Sequence, residues 1–108
     1  MIMFAPPEYI SLLYMNIYES TRKDKRLMAM FDDGTTTHFG LKGGNTYIDH
    51  GDKQKRDAYI ARHKVREDWS NYKSAGSLAK WILWGPSTDI RTNIASYKKR
   101  FNLNTYNI

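Results

Sequence analysis

The chain lacks cysteine and has no long apolar run, and each absence excludes certain kinds of site or segment. Without thiols it can form neither a disulfide nor a thiolate metal site, which fits a reducing compartment. The first residues show no basic leader followed by an extended apolar segment, and no stretch approaches the roughly 18 apolar residues that a membrane span needs. We therefore expect a soluble protein without a secretory signal or a membrane span.

Internal repeats and low-complexity tracts are also absent, which excludes solenoids and propellers. Two domains within 108 residues would each have too little apolar surface for a core. Hydrophobic residues make up 41% of the chain and aromatic residues 14%, which is enough for a packed core. The sequence predicts a single folded domain over residues 1–108.

Acidic residues are scarce in the second half of the chain. Residues 1–50 contain five Lys/Arg and six Asp/Glu, whereas residues 51–108 contain twelve Lys/Arg and five Asp/Glu. Most of the formal net charge of +6 therefore comes from the second half. Such asymmetry indicates a basic face directed at an anionic partner, either a phosphate backbone or the acidic surface of another protein.

Apolar and β-branched residues predict strands in the first forty positions. The first strand is predicted at Tyr9–Tyr18, and the charged run at 19–26 connects it to a second strand at Leu27–Phe31. Asp33-Gly34 is a hairpin signal, because glycine readily adopts the positive φ of such turns. The returning strand is predicted at Thr35–Phe39.

From Gly51 onward the pattern is helical. Asp52 is a candidate N-cap of a helix that runs to about Glu67, and small residues at helical spacing predict a thin docking stripe on it. This stripe consists of Ala58, Ala61 and Val65.

Two further helices are predicted, one from a Ser74 cap through Trp84 and one that begins at Ser87 or Thr88. Both have apolar faces at helical spacing. These are Leu78, Trp81 and Ile82 in one helix, and Ile90, Ile94, Tyr97 and Phe101 in the other. The sequence thus predicts an α+β fold, a small antiparallel sheet of two or three strands followed by three helices packed on one face. The other sheet face would expose apolar side chains unless a partner or a second copy covers it.

Lysines and arginines on the predicted helices are the candidate residues for binding a partner or nucleic acid. They are Lys53, Lys55, Arg56, Arg62, Lys64, Arg66, Lys98, Lys99 and Arg100. A solvated helix face is the alternative interpretation of the first six. Binding to nucleic acid would fall steeply with salt, whereas a protein partner would be anchored by arginine and tyrosine on a more apolar patch.

Histidine and acidic residues raise the alternatives of a metal site and of catalysis, through His38, Asp49, His50, Asp52 and His63. A metal needs three or four converging ligands, and this spacing does not supply them. No Ser/His/Asp order or paired carboxylate indicates acid–base chemistry. We therefore predict no metal, no cofactor and no enzymatic activity. We expect hydrogen bonds in loops for His38 and His50, and a contact with Tyr59 for His63.

Glycines and tryptophans have ordinary interpretations as well. Gly40, Gly43 and Gly44 do not have the spacing of a phosphate-binding loop and are predicted to form turns. Among the tryptophans that could stack on bases, Trp81 is predicted to pack in the core, and Trp84 is equally consistent with a packed or an exposed position.

A collinear set of residues gives a resemblance to a known family. The set is Thr37-His38-Phe39-Gly40, Tyr47, Asp49-His50, Arg56, Tyr59, Arg62-His63, Glu67, Trp69, Ala75-Gly76, Leu78, Trp81-Ile82-Leu83-Trp84 and Tyr97-Lys98-Lys99-Arg100-Phe101. It resembles an uncharacterised domain family of large nucleocytoplasmic DNA viruses. Residues 1–26 lie outside the resemblance, and 27–108 form the family-like core. The chain departs from the family pattern at Gly51 and at 71–73, and both positions fall in predicted connections between elements.

The resemblance implies a viral context but no established activity. We expect a virion structural protein, a minor capsid or capsid-lining component in the virion and, during assembly, in the host cytoplasm. Its partners would be other capsid or virion proteins, with self-association as a further option. The alternative is a basic nucleic-acid-binding protein of a large DNA virus. A dry apolar patch apart from the basic helix favours the first function, and aromatic residues interleaved with basic ones favour the second.

Overall fold

The computed structural model describes residues 13–104, which form a three-stranded antiparallel sheet followed by helices. The strands are β1 (Met15–Glu19), β2 (Lys25–Phe31) and β3 (Thr36–Leu41), with β2 in the centre. Met15 pairs with Phe31 across β1 and β2, and Leu27 pairs with Phe39 across β2 and β3. The predicted α+β class is confirmed.

The hairpin signal at Asp33-Gly34 is confirmed by the turn between β2 and β3. Gly34 has a φ of 88°, and the Asp33 carboxylate accepts a hydrogen bond from the Thr35 amide at 2.9 Å. A side-chain acceptor two residues before its donor is the usual reason that aspartate favours turns. The strand bounds were less well predicted. In the described residues β1 begins at Met15, and residues 9–12 of the first predicted strand lie outside the described part. β2 begins two residues earlier than predicted, at Lys25, and β3 ends two residues later, at Leu41.

A short helix that the sequence did not predict follows the sheet. This helix, α1 (Tyr47–His50), is one turn long and is held by a reciprocal cap in which Asp49 accepts from the Thr46 amide at 2.8 Å. Arg26 of β2 forms a bidentate pair with the same carboxylate, at 2.7 and 2.8 Å. The hydrogen bonds from Arg26 and Thr46 hold the pKa of Asp49 well below its usual range, despite partial burial.

The next helix, α2 (Lys53–His63), is capped by Asp52 as predicted, but its packing face and its end differ. It ends four residues before Glu67, and the predicted stripe of small residues is exposed, with Val65 beyond the helix at 74%. Its partly buried side is formed by Arg56, Tyr59, Ile60 and His63. The contact between α2 and the rest of the protein is therefore made by its long and aromatic side chains, and not by its alanines.

The third helical segment begins at its predicted cap and then changes geometry. Ser74 accepts from the Ser77 amide at 3.1 Å at the start of α3 (Ala75–Leu78), which continues as a π-helical segment over Ala79–Leu83. The Trp84 amide donates to the Ala79 carbonyl, five residues back, at 3.0 Å. π-Helical turns of this kind are rare and are frequent at functional sites. The helix predicted to run regularly through Trp84 is therefore interrupted.

The last helix, α4 (Ile90–Phe101), begins after Asp89, which caps it through the Arg91 amide at 3.0 Å. The predicted start at Ser87 or Thr88 was two to three residues too early. Asn93, fully buried in α4, fixes the preceding loop, because its side chain donates to the Ile82 and Ser87 carbonyls and accepts from the Ser87 amide. A Cβ on Gly85 would lie 2.2 Å from the Trp81 carbonyl oxygen, so this loop requires glycine.

The core lies between one sheet face and the helices. Met15, Ala29, Phe31 and Phe39 on the sheet share it with residues of the α3 and π-helical segment and of α4. The helical contributors are Leu78, Ile82 and Tyr97, which lie on the predicted apolar faces, and Leu83, which was not among the predicted residues. The helices thus cover one face, and the other face carries the alternate strand positions.

Candidate functional site

The predicted basic residues of α2 and the turn after it are exposed, with one exception. Lys53, Lys55, Arg62, Lys64 and Arg66 are exposed, and none forms an ion pair with a residue of the described part. We call these five the α2 basic surface. They are free to meet an anionic partner.

Arg56 is the exception, because its side chain points inward. Its Nε donates to the carbonyl oxygens of Trp84 and Gly85 at 3.0 and 2.8 Å, and its guanidinium lies over the Tyr47 ring at 5.6 Å. Those carbonyls follow the π-helical segment and have few other donors within reach. Arg56 therefore holds α2 in place, and its predicted role as a partner contact does not fit this geometry.

A column of stacked rings joins α2 to the same region. The Tyr59 ring stacks on His63 at 4.0 Å and on Trp84 at 4.3 Å between centroids. The predicted contact between His63 and Tyr59 is confirmed, and Trp84 is packed. Burial and the nearby Glu67 raise the pKa of Tyr59 to about 12, so it stays neutral.

The three basic residues at the end of α4 differ in their exposure and contacts. Lys98 is half-buried, and burial lowers its pKa, whereas Lys99 is exposed. Arg100 is exposed but ordered, because its Cζ lies 3.7 Å from the centroid of the Trp81 ring. A guanidinium stacked on indole is a favourable cation–π contact.

A buried lysine lies on the other side of Trp81. Lys80 is only 7% exposed, and its Nζ lies 3.4 Å from the Trp81 centroid and 5.1 Å from that of Trp69. Two cations this close to one centroid cannot share a face of the ring, so Lys80 and Arg100 sandwich Trp81. Burial, Arg56 and Arg100 lower the pKa of Lys80 to about 8.

The structure thus brings together residues that the sequence had separated. Lys80 was not among the predicted site residues, because a lysine inside a predicted core helix has no pattern of its own. Trp81 does pack against the core, yet its edge and Arg100 also line a groove of about 400 Å³. The groove lies between the π-helical segment and α4 and is completed by Pro86, Ser96, Tyr97 and Lys99.

The uncovered sheet face is a second surface. Its positions alternate with the buried ones, and the part of it without Lys, Arg, Asp or Glu comprises Asn16, Tyr18, Met28, Met30, Thr36 and His38. Arg26, the next alternate position of β2, is charged and pairs with Asp49 at the end of the strand. Tyr18 is 46% exposed and Met30 45%, and they lie diagonally on neighbouring strands. We call these six residues the outer sheet face.

The histidines and acidic residues do not form a metal site in the described part. No group of three His, Cys, Asp or Glu there could hold an ion. His38 bonds Ser20 at 2.7 Å from within β3, and His50 accepts from the Asp52 amide at 2.9 Å at the end of α1. The hydrogen bonds were predicted correctly, but the loops were not. Gly40 lies in β3, and Gly43 and Gly44 belong to the turn after it.

No helix within residues 13–104 is long and apolar enough to cross a bilayer. No curated protein and no solved structure matches the chain. Residues 15–63 match the model of a family described as "Family of unknown function (DUF5754)", and this match spans β1 to α2. The residues of the viral resemblance from Glu67 onward lie beyond it. What the chain is similar to is therefore a family without an assigned activity.

Proposed function

We propose that the protein is a virion structural protein, a minor capsid or capsid-lining component that binds other virion proteins through the outer sheet face. The observation that supports this most directly is the separation of apolar and charged surface. The outer sheet face is half-exposed and contains no Lys, Arg, Asp or Glu, whereas the α2 basic surface lies on α2 and the turn after it. Further exposed cations lie at the end of α4, at its start and beside the strands.

The chemistry of the outer sheet face suits a protein partner. A tyrosine and two methionines supply flat and adaptable apolar area, and both residue types are enriched where proteins associate. Asn16 donates to the Tyr18 hydroxyl at 3.1 Å, which positions the ring on the face. The viral context of the proposal comes from the sequence resemblance, and the small size and the two distinct surfaces fit a protein that joins larger subunits.

The test uses particles of the virus that encodes the chain. Quantitative mass spectrometry of purified particles is expected to find the protein at a fixed ratio to the major capsid subunit. A virus with Met30→Glu should incorporate about tenfold less protein, because a charge at the centre of an apolar contact is not solvated there. Val65→Glu is the matched control, since Val65 is exposed outside the face. Absence of the protein from particles would refute the proposal, as would equal incorporation of both variants.

The second candidate function is nucleic-acid binding, which the α2 basic surface favours. Five exposed cations without ion-pair partners among the described residues are suited to phosphate neutralisation. The two candidate functions use different surfaces. DNA binding requires the α2 basic surface, whereas the structural role requires the outer sheet face.

A further inference from the structure

We propose that the groove beside Trp81 is a phosphate-binding site, in which Arg100, Lys99 and Ser96 hold a phosphate group of a nucleotide or of a nucleic-acid backbone. The site is separate from the outer sheet face and does not depend on the role proposed for that face. The groove combines unbalanced positive charge, a space that fits a phosphate group and a donor held by stacking on Trp81.

The unbalanced charge is that of Lys80 and Arg100. Neither forms an ion pair with any residue from 13 to 104, although Lys80 is almost fully buried. An ammonium removed from water is costly unless an anion compensates it, and the rings of Trp69 and Trp81 compensate only in part. Burial is the main cause of the lowered pKa of Lys80, and the positive charges of Arg56 and Arg100 lower it further. An anion bound in the groove would compensate the charge of Arg100 directly and that of Lys80 only across the Trp81 ring.

The space fits a phosphate group with room for the atoms attached to it. The groove of about 400 Å³ opens between the π-helical segment and α4, and the exposed donors that line it belong to Ser96, Lys99 and Arg100. Guanidinium, ammonium and hydroxyl groups match the several oxygens of phosphate better than the two of a carboxylate. A phosphate monoester, which is largely dianionic at neutral pH, also balances more of the positive field than a carboxylate or a backbone diester does, since each of those carries one negative charge.

The donor geometry is fixed before an anion arrives. Arg100 uses the face of its guanidinium for Trp81, so its N–H groups, which lie in the guanidinium plane, stay available at the edge. A donor already held by packing loses less conformational entropy on binding. Lys80 stabilises the arrangement from the buried side of the same ring.

The test is a titration of the full chain, followed by ¹H–¹⁵N NMR of the indole and guanidinium N–H groups. Inorganic phosphate is added first, then adenosine monophosphate, then a hexamer of thymidylate. Saturable shifts are expected at the Trp81 indole and the Arg100 Nε–H, and smaller ones at Trp84. Adenosine monophosphate that binds no more tightly than phosphate identifies the phosphate alone as the ligand, and a gain for the hexamer identifies the nucleic-acid backbone.

Variants separate a built site from general charge attraction. Arg100→Gln should weaken phosphate binding about tenfold, as expected for loss of a charged hydrogen bond, and Lys99→Gln should weaken it as well. Arg91→Gln removes the same charge from an exposed position of the same helix and should leave the affinity unchanged. Equal losses for Arg91→Gln and Arg100→Gln would overturn the proposal, as would shifts that never saturate or that leave Trp81 unaffected.

Discussion

At the scale of single residues, Lys80 is unusual, because a side chain that is normally charged and exposed is buried here. It is buried between two tryptophans in a segment otherwise made of core residues, and two arginines act on it. The folded protein therefore disfavours its charged form. Its ordinary pKa of 10.5 applies in the unfolded chain, so folding releases a proton wherever the pH lies between about 8 and 10.5.

This difference predicts a pH dependence of stability. Between pH 8 and 9.5 the unfolded chain binds more protons at Lys80 than the folded protein, so the free energy of unfolding should rise with pH by about 1 kcal/mol. The measurement is urea unfolding at half-unit intervals of pH. In Lys80→Met most of this rise should be lost, and the remainder belongs to Lys98, whose pKa burial also lowers. Lys99→Met, which removes an exposed lysine from the neighbouring helix, should keep the full rise. An identical slope in wild type and Lys80→Met would contradict the assignment.

Residue roles could be predicted from the sequence where a local rule decides them. Asp52 and Ser74 cap their helices and Gly34 turns the hairpin, because the acceptor or the positive φ is needed within three residues. Lys80 and Arg56 could not be assigned in this way. Their partners lie on other parts of the chain, Trp69 for the first and the Trp84 and Gly85 carbonyls for the second.

At the scale of elements, α2 shows how a helix with no buried residue is attached to a domain. Its stripe of small residues predicted close docking, but the actual attachment uses Arg56 and the stack of Tyr59 on Trp84. Helical spacing predicted the helix correctly but not the side that packs on the domain. Alanine on a polar helix is found both on buried and on exposed sides, so it does not mark the packed one. The π-helical segment escaped prediction for a similar reason, since no residue pattern in 79–83 marks an inserted turn.

The hydrogen bonds that attach α2 to the domain predict that loss of the Arg56 guanidinium destabilises this helix. Arg56→Met keeps an unbranched apolar side chain that reaches as far as Nε, but it leaves the Trp84 and Gly85 carbonyls without their donor, at a cost of about 1–3 kcal/mol. Amide hydrogen exchange in α2 should accelerate more than in the sheet, because this helix has few other contacts. Lys55→Met, one residue earlier and exposed, is the matched control and should change exchange little. Equal protection of α2 in the two variants would show that Arg56 does not hold the helix.

At the scale of the whole molecule, the α2 basic surface and the outer sheet face are sorted onto different elements, and Arg22, Lys23 and Lys42 are exposed beside the strands. The outer sheet face has no charged residue, and the α2 basic surface belongs to the half of the chain with twelve Lys/Arg and five Asp/Glu. The sequence predicted the asymmetry and the uncovered sheet face. It could not predict which basic residues are free, since Arg56, Lys98 and Lys80 are each withdrawn to a different degree.

The same sorting predicts how the protein responds to a polyanion. Five free cations should attract duplex DNA at low ionic strength whatever the biological partner is, and the logarithm of the affinity should fall linearly with the logarithm of salt. From 50 to 200 mM salt the loss should be roughly 10²- to 10³-fold, measured by fluorescence anisotropy of a labelled 20-base-pair duplex.

Two triple variants separate the α2 basic surface from net charge. Replacement of Arg62, Lys64 and Arg66 by glutamine should reduce the salt slope by about 2 to 3, because each neutralised phosphate contributes close to one unit. Replacement of Arg22, Lys23 and Lys42, exposed on the sheet side, removes the same charge and should reduce the slope by less than half as much. Micromolar affinity that persists at physiological salt and depends on the first triple would favour nucleic-acid binding over the structural role. Affinity lost by that salt concentration would leave the basic surface as an electrostatic guide, and the outer sheet face as the surface that holds a partner.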